Sequence, residues 1–236
     1  MEKKELIYEG KAKKIYKTDK EEIYLQEFKD DATAFNGLKK DKIPHKGELN
    51  NQISTYIFNQ LKENAIPTHF LEKLSPTEML VRKVDIIKIE VVCRNITAGS
   101  LVKKFGLEEG IELENPVIEY YYKSDELGDP LFNEDHIYAL KLADKFDLGI
   151  IKKMTLAVNE ILRKYFLKHG IKLVDFKLEF GKDRFGNILL ADEISPDTCR
   201  LWDSETNKKL DKDRFRFDLG EVEEAYQEIN KRLAEA

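Results

Sequence analysis

Three stretches of the chain concentrate side chains able to do chemistry. In Gly10-Lys11-Ala12-Lys13-Lys14-Ile15-Tyr16 a glycine turn lets a phosphate approach the backbone. Lys11 and Lys13, two apart on the strand that follows, point to one face and could both meet a polyphosphate. The spacing is not that of a GxxxxGK[ST] loop, so a Walker site is excluded. In Val91 to Ser100, Arg94 ends an extended run and Gly99-Ser100 opens a helix whose free N–H groups suit an anion. The third stretch is the densest. Asp175, Lys177 and Glu179 alternate with Val174, Phe176, Leu178 and Phe180, so an acid–base–acid row occupies one strand face and the apolar row meets a core. The next strand brings Asp192 and Glu193, and the loop after it adds Asp197 and Arg200. A solvated strand edge also carries charge. Acids and bases recurring beside apolar strands suit a metal–phosphate site better.

Short β-like runs separated by turn chemistry position the first stretch: Leu6–Tyr8, Lys13–Tyr16 and Ile23–Phe28, with turns at Glu9-Gly10 and Thr18-Asp19. Ile53, Tyr56, Ile57 and Leu61 repeat at a helical period, predicting a helix from about Leu49 to Leu61 that is closed off by Pro67. Phe70–Leu74 and Met79–Val84 read as further strands, so the first third is a small, mostly antiparallel α+β lobe ending near residues 84–88. Beyond it, Lys88–Arg94 alternates as a strand, Ala98–Phe105 begins a helix, and Tyr120-Tyr121-Tyr122 is a strand. The strongest helical period runs from Leu148 to His169, with Gly170 at the C′ position. A strand pair, Ile171–Phe180 and Ile188–Ile194, comes next, and a final helix starts near Leu219. In an antiparallel hairpin, a two-residue loop Phe185-Gly186 sets Glu179 opposite Asp192. A four-residue loop, Asp183 to Gly186, sets Lys177 there instead. Either even loop puts Glu179 and Asp192 on one face; an odd loop without a compensating irregularity does not.

Composition narrows the class of protein. Of 236 residues, 42% are hydrophobic, including 13 Phe and 10 Tyr, enough for a sizeable core. The 40 basic and 45 acidic side chains give a net charge of −5, which argues against a nucleic-acid binder. No apolar run exceeds four residues, so neither a membrane span nor a secretory leader is expected. Cys93 and Cys199 lie far apart without a CxxC pattern, as expected of a reduced cytoplasmic protein.

The segments GKAKKIY (10–16), DDATAFNG (30–37), EVVCRNITAGS (90–100), VDFKLEFG (174–181), ADEISPDTCRLWD (191–203) and DKDRFR (211–216) occur in order. In sequence and spacing the chain resembles the SAICAR synthetase family, in its compact bacterial form, over essentially its whole length. It departs from several relatives at Asn36, where they carry Asp, and in the length of the 182–187 loop. The resemblance implies a two-lobed α/β fold, with residues 1–85 as the nucleotide-binding lobe, residues 86–236 carrying the metal and CAIR sites, and ATP in the cleft between. It also implies ligation of the imidazole carboxylate CAIR to L-aspartate, with ATP and Mg²⁺, by way of an acyl phosphate.

Carried onto this sequence, Gly10, Lys11 and Lys13 would meet the ATP phosphates, and Arg82, Asp85 and Ile86 would run beside the adenine. Arg94, Ser100 and Arg200 would bind CAIR, and Asp175 and Lys177 would lie near the reacting carboxylate. Glu179 and Asp192 would hold Mg²⁺, with Glu90 and Asp129 as candidates for a second ion. A homodimer is the expected assembly, with neither nucleic acid nor membrane as partner. A kinase and a non-catalytic nucleotide binder are the rival functions. The kinase lacks support, because neither H-R-D-x-x-x-x-N nor D-F-G occurs: Asp175-Phe176 continues with Lys177.

Overall fold

The computed structural model describes residues 1–34 and 37–235; Asn36 lies outside them. The chain begins β1 (Lys3–Glu9), β2 (Lys13–Thr18), β3 (Ile23–Phe28), β4 (Asp31–Ala34), β5 (Lys39–Lys42), α1 (Lys46–Glu63), β6 (Phe70–Lys73) and β7 (Glu78–Arg82). It continues β8 (Asp85–Ile96), α2 (Gly99–Phe105), β9 (Glu112–Tyr122), β10 (Leu131–Phe132), α3 (Glu134–Ala139) and α4 (Lys145–Lys168). Then come β11 (Ile171–Lys182), β12 (Ile188–Ala191), β13 (Cys199–Asp203), α5 (Asp213–Arg216) and α6 (Val222–Ala234).

Two antiparallel sheets divide the chain at one point. The five-stranded sheet, β1-β2-β3-β7-β6, ends with Arg82, and the six-stranded sheet, built on β10-β9-β8-β11-β12, begins with Asp85. The long central strand β11 pairs with β8 on one side and with both β12 and β13 on the other. A single apolar core joins the halves. Ile53, Ile57 and Phe58 of α1 and Ile151, Val158 and Leu162 of α4 pack in one cluster with Ile89, Val91 and Cys93 of β8 and Phe176, Leu178 and Phe180 of β11. With those side chains committed to the core, the alternate residues of β8 and β11 face the other way. Among the described residues, no helix is long and apolar enough to cross a membrane.

Several expected elements change shape. The strand expected to run to Ile194 stops at Ala191, because Asp192 takes a left-handed backbone with φ +63°. Arg200, expected in a loop, sits on β13 directly opposite Asp175. Val174 does not share a face with Phe176. A register shift between Leu173 and Asp175 moves it into a separate cluster with Ile96, Ala98 and Trp202. Strand β9 extends back to Glu112 through Pro116, which is tolerated because β10 covers only Tyr120 and Tyr121 on its outer edge. Helix α4 starts at Lys145, where the Asp144 carboxylate accepts the Asp147 N–H at 2.8 Å.

The hairpin register differs from both expected alternatives. Lys182 pairs with Ile188, leaving five residues between the strands, and Glu179 faces Ala191. The Asp183 carboxylate sets this loop by accepting the N–H groups of Phe185 and Asn187, each at 2.9 Å. An odd loop alone would turn Asp192 away from Glu179. The left-handed turn at Asp192 brings its carboxylate back, 3.4 Å from the Lys177 Nζ.

Candidate active site

Register assembles the site face row by row. Asp175 of β11 lies between Arg94 of β8 and Arg200 of β13, Lys177 lies opposite Val92, and Glu179 lies opposite Glu90. Strand β9 continues two of these rows with Glu119 beside Val92 and Tyr121 beside Glu90. In the first row, the Arg94 Nη1 donates to Asp175 Oδ2 at 2.9 Å, its Nε to Glu119 at 2.7 Å and its Nη2 to the Ser100 Oγ at 2.7 Å. Arg200 donates to Asp175 at 2.9 Å and to Asp213 at 2.8 Å. Asp175 thus pins two arginines side by side, and each guanidinium keeps a fixed orientation. Gly99 allows this approach: it has φ +55°, and a Cβ there would lie 2.4 Å from the Arg200 Nη2.

The second part of the site forms where β12 ends and β13 has yet to begin. Residues 192–198 leave the sheet there, and on that edge of β11 the Lys177 N–H donates to the Thr198 carbonyl at 2.8 Å. Lys177 Nζ meets three carboxylates: Glu179 at 2.6 Å, Glu90 at 3.1 Å and Asp192 at 3.4 Å. Lys123 adds a contact to Glu179 at 2.8 Å, and Lys13 pairs with Asp192 and with Glu193 at 2.9 Å. Burial alone would raise the Asp192 carboxyl, but Lys13, Lys177 and Lys123 hold it well below the carboxylate range. Burial likewise opposes the Lys177 charge, and Glu179, Asp192 and Glu90 overrule it, raising the ammonium well above its ordinary value. Burial, with Lys13 nearby, draws the His69 imidazole down to about 4. Neutral His69 therefore donates its Nε2–H to the Asp192 carbonyl at 3.0 Å and steadies the left-handed turn.

Two cavities open on this face. A cleft of about 550 Å³ lies between the sheets, lined by Gly10, Lys11, Lys13, Arg82, Ile86 and Asp129 among others. Glu179 and Asp192 line it too. Asp85 falls outside this lining, its backbone paired with Lys182. Lys11 reaches across the cleft to Asp125 at 2.6 Å. Asp129 lines the wall, with one carboxylate oxygen accepting the Ser124 N–H at 2.8 Å. A smaller cavity of about 200 Å³ holds Arg94, Ser100, Asp175 and Arg200. Glu90, Lys177, Asp197 and Thr198 line both, so the two spaces meet at Lys177.

Glu179 and Asp192 fit a magnesium ion in donor type. Mg²⁺ takes one or two carboxylates and completes its shell with phosphate oxygens and water. Lys177 already draws these carboxylates together, a task a divalent cation also performs. Among the described residues, no three His, Cys, Asp or Glu side chains cluster closely enough to enclose a metal by themselves.

Sequence reading left out several members of the site. Glu119 and Tyr121 were legible in principle, since period-two alternation with the buried Tyr120 places them on the site face. Asp213 and Arg216 lie within the DKDRFR segment without having been given a role. His69, Lys46 and Tyr226 carry no local signal, whereas Asp197 is singled out in the sequence with Asp192 and Glu193, and Lys123 continues the alternation of Glu119 and Tyr121. Lys46, Asp197 and Tyr226 come together only through the fold: the Asp197 carboxylate accepts the Lys46 Nζ and the Tyr226 hydroxyl, each at 2.7 Å.

Two linked cavities, one rimmed by lysines and carboxylates between two sheets and the other by paired arginines, offer adjoining spaces suited in charge to small anionic molecules. A family model described as SAICAR synthetase matches residues 6–233. The phosphoribosylaminoimidazole-succinocarboxamide synthase of Thermoanaerobacter sp. (strain X514) is 62% identical, the match covering 99% of each chain. The crystal structure of that synthase from Ehrlichia chaffeensis superposes with a TM-score of 0.96 at 50% identity, covering 98% of each chain. A SAICAR synthetase in complex with ADP gives 0.95 at 51% identity, also covering 98% of each. The chain belongs to the SAICAR synthetase family, and as a member it is a ligase of purine biosynthesis.

Proposed function

We propose that this chain condenses CAIR with L-aspartate at the expense of ATP, giving SAICAR, ADP and phosphate. The observation that carries this reading is the meeting of the two cavities at Lys177. A nucleotide in one and a carboxylate substrate in the other would present their reacting groups to each other there. Residues 1–85 form the nucleotide-binding lobe, and residues 86–236 carry the metal and CAIR sites. ATP lies in the larger cleft, with adenine against the Arg82–Ile86 segment and phosphates toward Gly10, Lys11 and Lys13. Arg94, Ser100 and Arg200 hold CAIR, whose ribose phosphate calls for charged donors in fixed geometry. Asp175 acts by pinning the arginines.

A carboxylate is a poor electrophile toward an amine. A CAIR carboxylate oxygen therefore attacks the γ-phosphorus, the bond to ADP breaks, and an acyl phosphate forms. The neutral amine of aspartate then attacks the acyl carbon, phosphate leaves with the carboxylate oxygen, and the amine proton passes to solvent. Lys177 and Lys13 stabilise the charge on the transferring group, and the adjoining cavities align the reactants. Glu179 and Asp192 would hold Mg²⁺, which neutralises phosphate charge when bound, and Glu90 and Asp129 are the candidates for a second ion. Free, buried Cys93 and Cys199 suit a reducing cytoplasm, where we take the enzyme to work as a homodimer.

Omission of one component at a time tests the reading. ATP, Mg²⁺, CAIR and aspartate together should give SAICAR, and leaving out any one should abolish it. A stable phosphorylated product accumulating without aspartate would point to a kinase instead.

A further inference from the structure

The assignments above give aspartate no binding group. We propose that Lys212 binds a carboxylate of the aspartate co-substrate beside the junction of the two cavities, an inference that rests on the ligase reading. Among the described residues, four cationic side chains lining these cavities are less than a fifth exposed: Lys13 at 13%, Arg94 at 3%, Arg200 at 16% and Lys212 at 14%. Arg94, Arg200 and Lys13 each have a carboxylate oxygen within 2.9 Å. Lys212 has Asp197 Oδ2 at 3.6 Å, and that oxygen already accepts from Lys46 at 2.7 Å. The other Asp197 oxygen accepts from Tyr226 at 2.7 Å. The charge of Lys212 is therefore balanced at a distance, while its N–H donors have no acceptor of their own among the described residues. A largely covered ammonium in that condition is a standing site for an anionic oxygen.

Location selects which anion. Lys11 and Lys13 stand on the wall given to the nucleotide, and Arg94, Ser100 and Arg200 on the wall given to CAIR. Lys212 lines the larger cleft together with Asp197 and Thr198, two of the residues that border both spaces. Its backbone N–H donates to the Pro196 carbonyl at 3.1 Å, which fixes the Lys212 main chain to the loop that frames the junction. An aspartate held there by one carboxylate can present its amine toward the activated carbon. Burial pulls the Lys212 ammonium below the ordinary lysine range, with Asp197 opposing, Lys46 and Arg216 adding to the shift and Glu193 opposing it weakly. Lys13 and Lys177 are raised instead by carboxylates already in contact with them, which Lys212 lacks.

Steady-state kinetics of the full-length enzyme with Lys212→Gln and Lys212→Arg, varying each substrate in turn, tests this. Lys212→Gln should raise the KM for aspartate at least about tenfold, equivalent to about 1.4 kcal/mol. The KM values for CAIR and ATP should stay within about twofold, and Lys212→Arg should recover part of the aspartate affinity. A rise confined to CAIR or to ATP would assign the anionic oxygen to that substrate and overturn the proposal. So would a loss of kcat with the aspartate KM unchanged. If Lys212→Gln shows no cooperative melt, Lys212→Arg decides alone: a several-fold rise in aspartate KM supports the proposal, and an unchanged value overturns it. A parent enzyme that makes no SAICAR would mark failure of the ligase reading, a distinct result.

Discussion

Gly99 carries a prediction in which backbone and site can be separated. It holds φ +55°, and an added Cβ would meet Arg200 Nη2 at 2.4 Å and Cζ at 2.6 Å. A left-handed backbone costs an ordinary residue roughly 1–2 kcal/mol. The guanidinium must also shift, although Asp175 at 2.9 Å and Asp213 at 2.8 Å pin it. Each such charge-assisted hydrogen bond contributes about 1.5–3 kcal/mol net. Gly99→Ala should therefore lose at least about 1–2 kcal/mol, lowering Tm by roughly 2–8 °C for a chain of this size. Its KM for CAIR should rise well above any change for ATP. Asparagine accepts the left-handed conformation but carries the same Cβ. Gly99→Asn should regain part of the stability and none of the CAIR affinity. Thermal melts and initial rates on both variants read the two effects. Parent-like Tm and CAIR KM in Gly99→Ala would refute the steric role, as would full recovery of both in Gly99→Asn.

Asp192→Asn should lower kcat by about two orders of magnitude or more and weaken its dependence on Mg²⁺ while the fold survives, as circular dichroism and a Mg²⁺ titration would show; removing a single preorganised charged group commonly costs that much. Asp197→Ala strips the partner from Lys46, whose side chain is 1% exposed, and should cost about 3–5 kcal/mol in urea denaturation. Burial, reinforced by the neighbouring Asp213 carboxylate, pushes the Asp211 carboxyl from its ordinary 3.8 up to about 7. The native state then holds this proton more tightly than the unfolded chain. Its contribution to stability is full below about pH 4 and is lost as pH rises through about 7. Asp211→Asn should flatten that part of a Tm-against-pH profile.

Strand alternation made the site face legible, because the side a residue faces is a local property of extended backbone. Asp175, Lys177 and Glu179 were separable from Phe176, Leu178 and Phe180 on that ground, as was Arg94 from Cys93. What strand pairing adds was less accessible. The hairpin register depends on the Asp183 side chain, and the return of the Asp192 carboxylate to the site depends on its left-handed backbone, neither of which a count of loop residues reveals. Arg200 was placed in the loop that follows the second strand of the hairpin. Only pairing of Cys199–Asp203 with the first half of β11 makes it the partner of Asp175. The tie from Lys46 to Asp197 spans 151 positions and follows from tertiary packing alone. The family resemblance supplied what periodicity does not: the nucleotide cleft and the identity of the substrates.

The central claim is that the carboxylate in the smaller cavity is activated by phosphoryl transfer where the two cavities meet. CAIR labelled with ¹⁸O in both carboxylate oxygens, incubated with ATP, Mg²⁺, aspartate and the enzyme, tests it directly by mass spectrometry of the released phosphate. Attack of the carboxylate on the γ-phosphorus carries one labelled oxygen into each phosphate formed, with the other kept in the SAICAR amide. Phosphate released without label, while SAICAR accumulates in equal amount, would contradict the account.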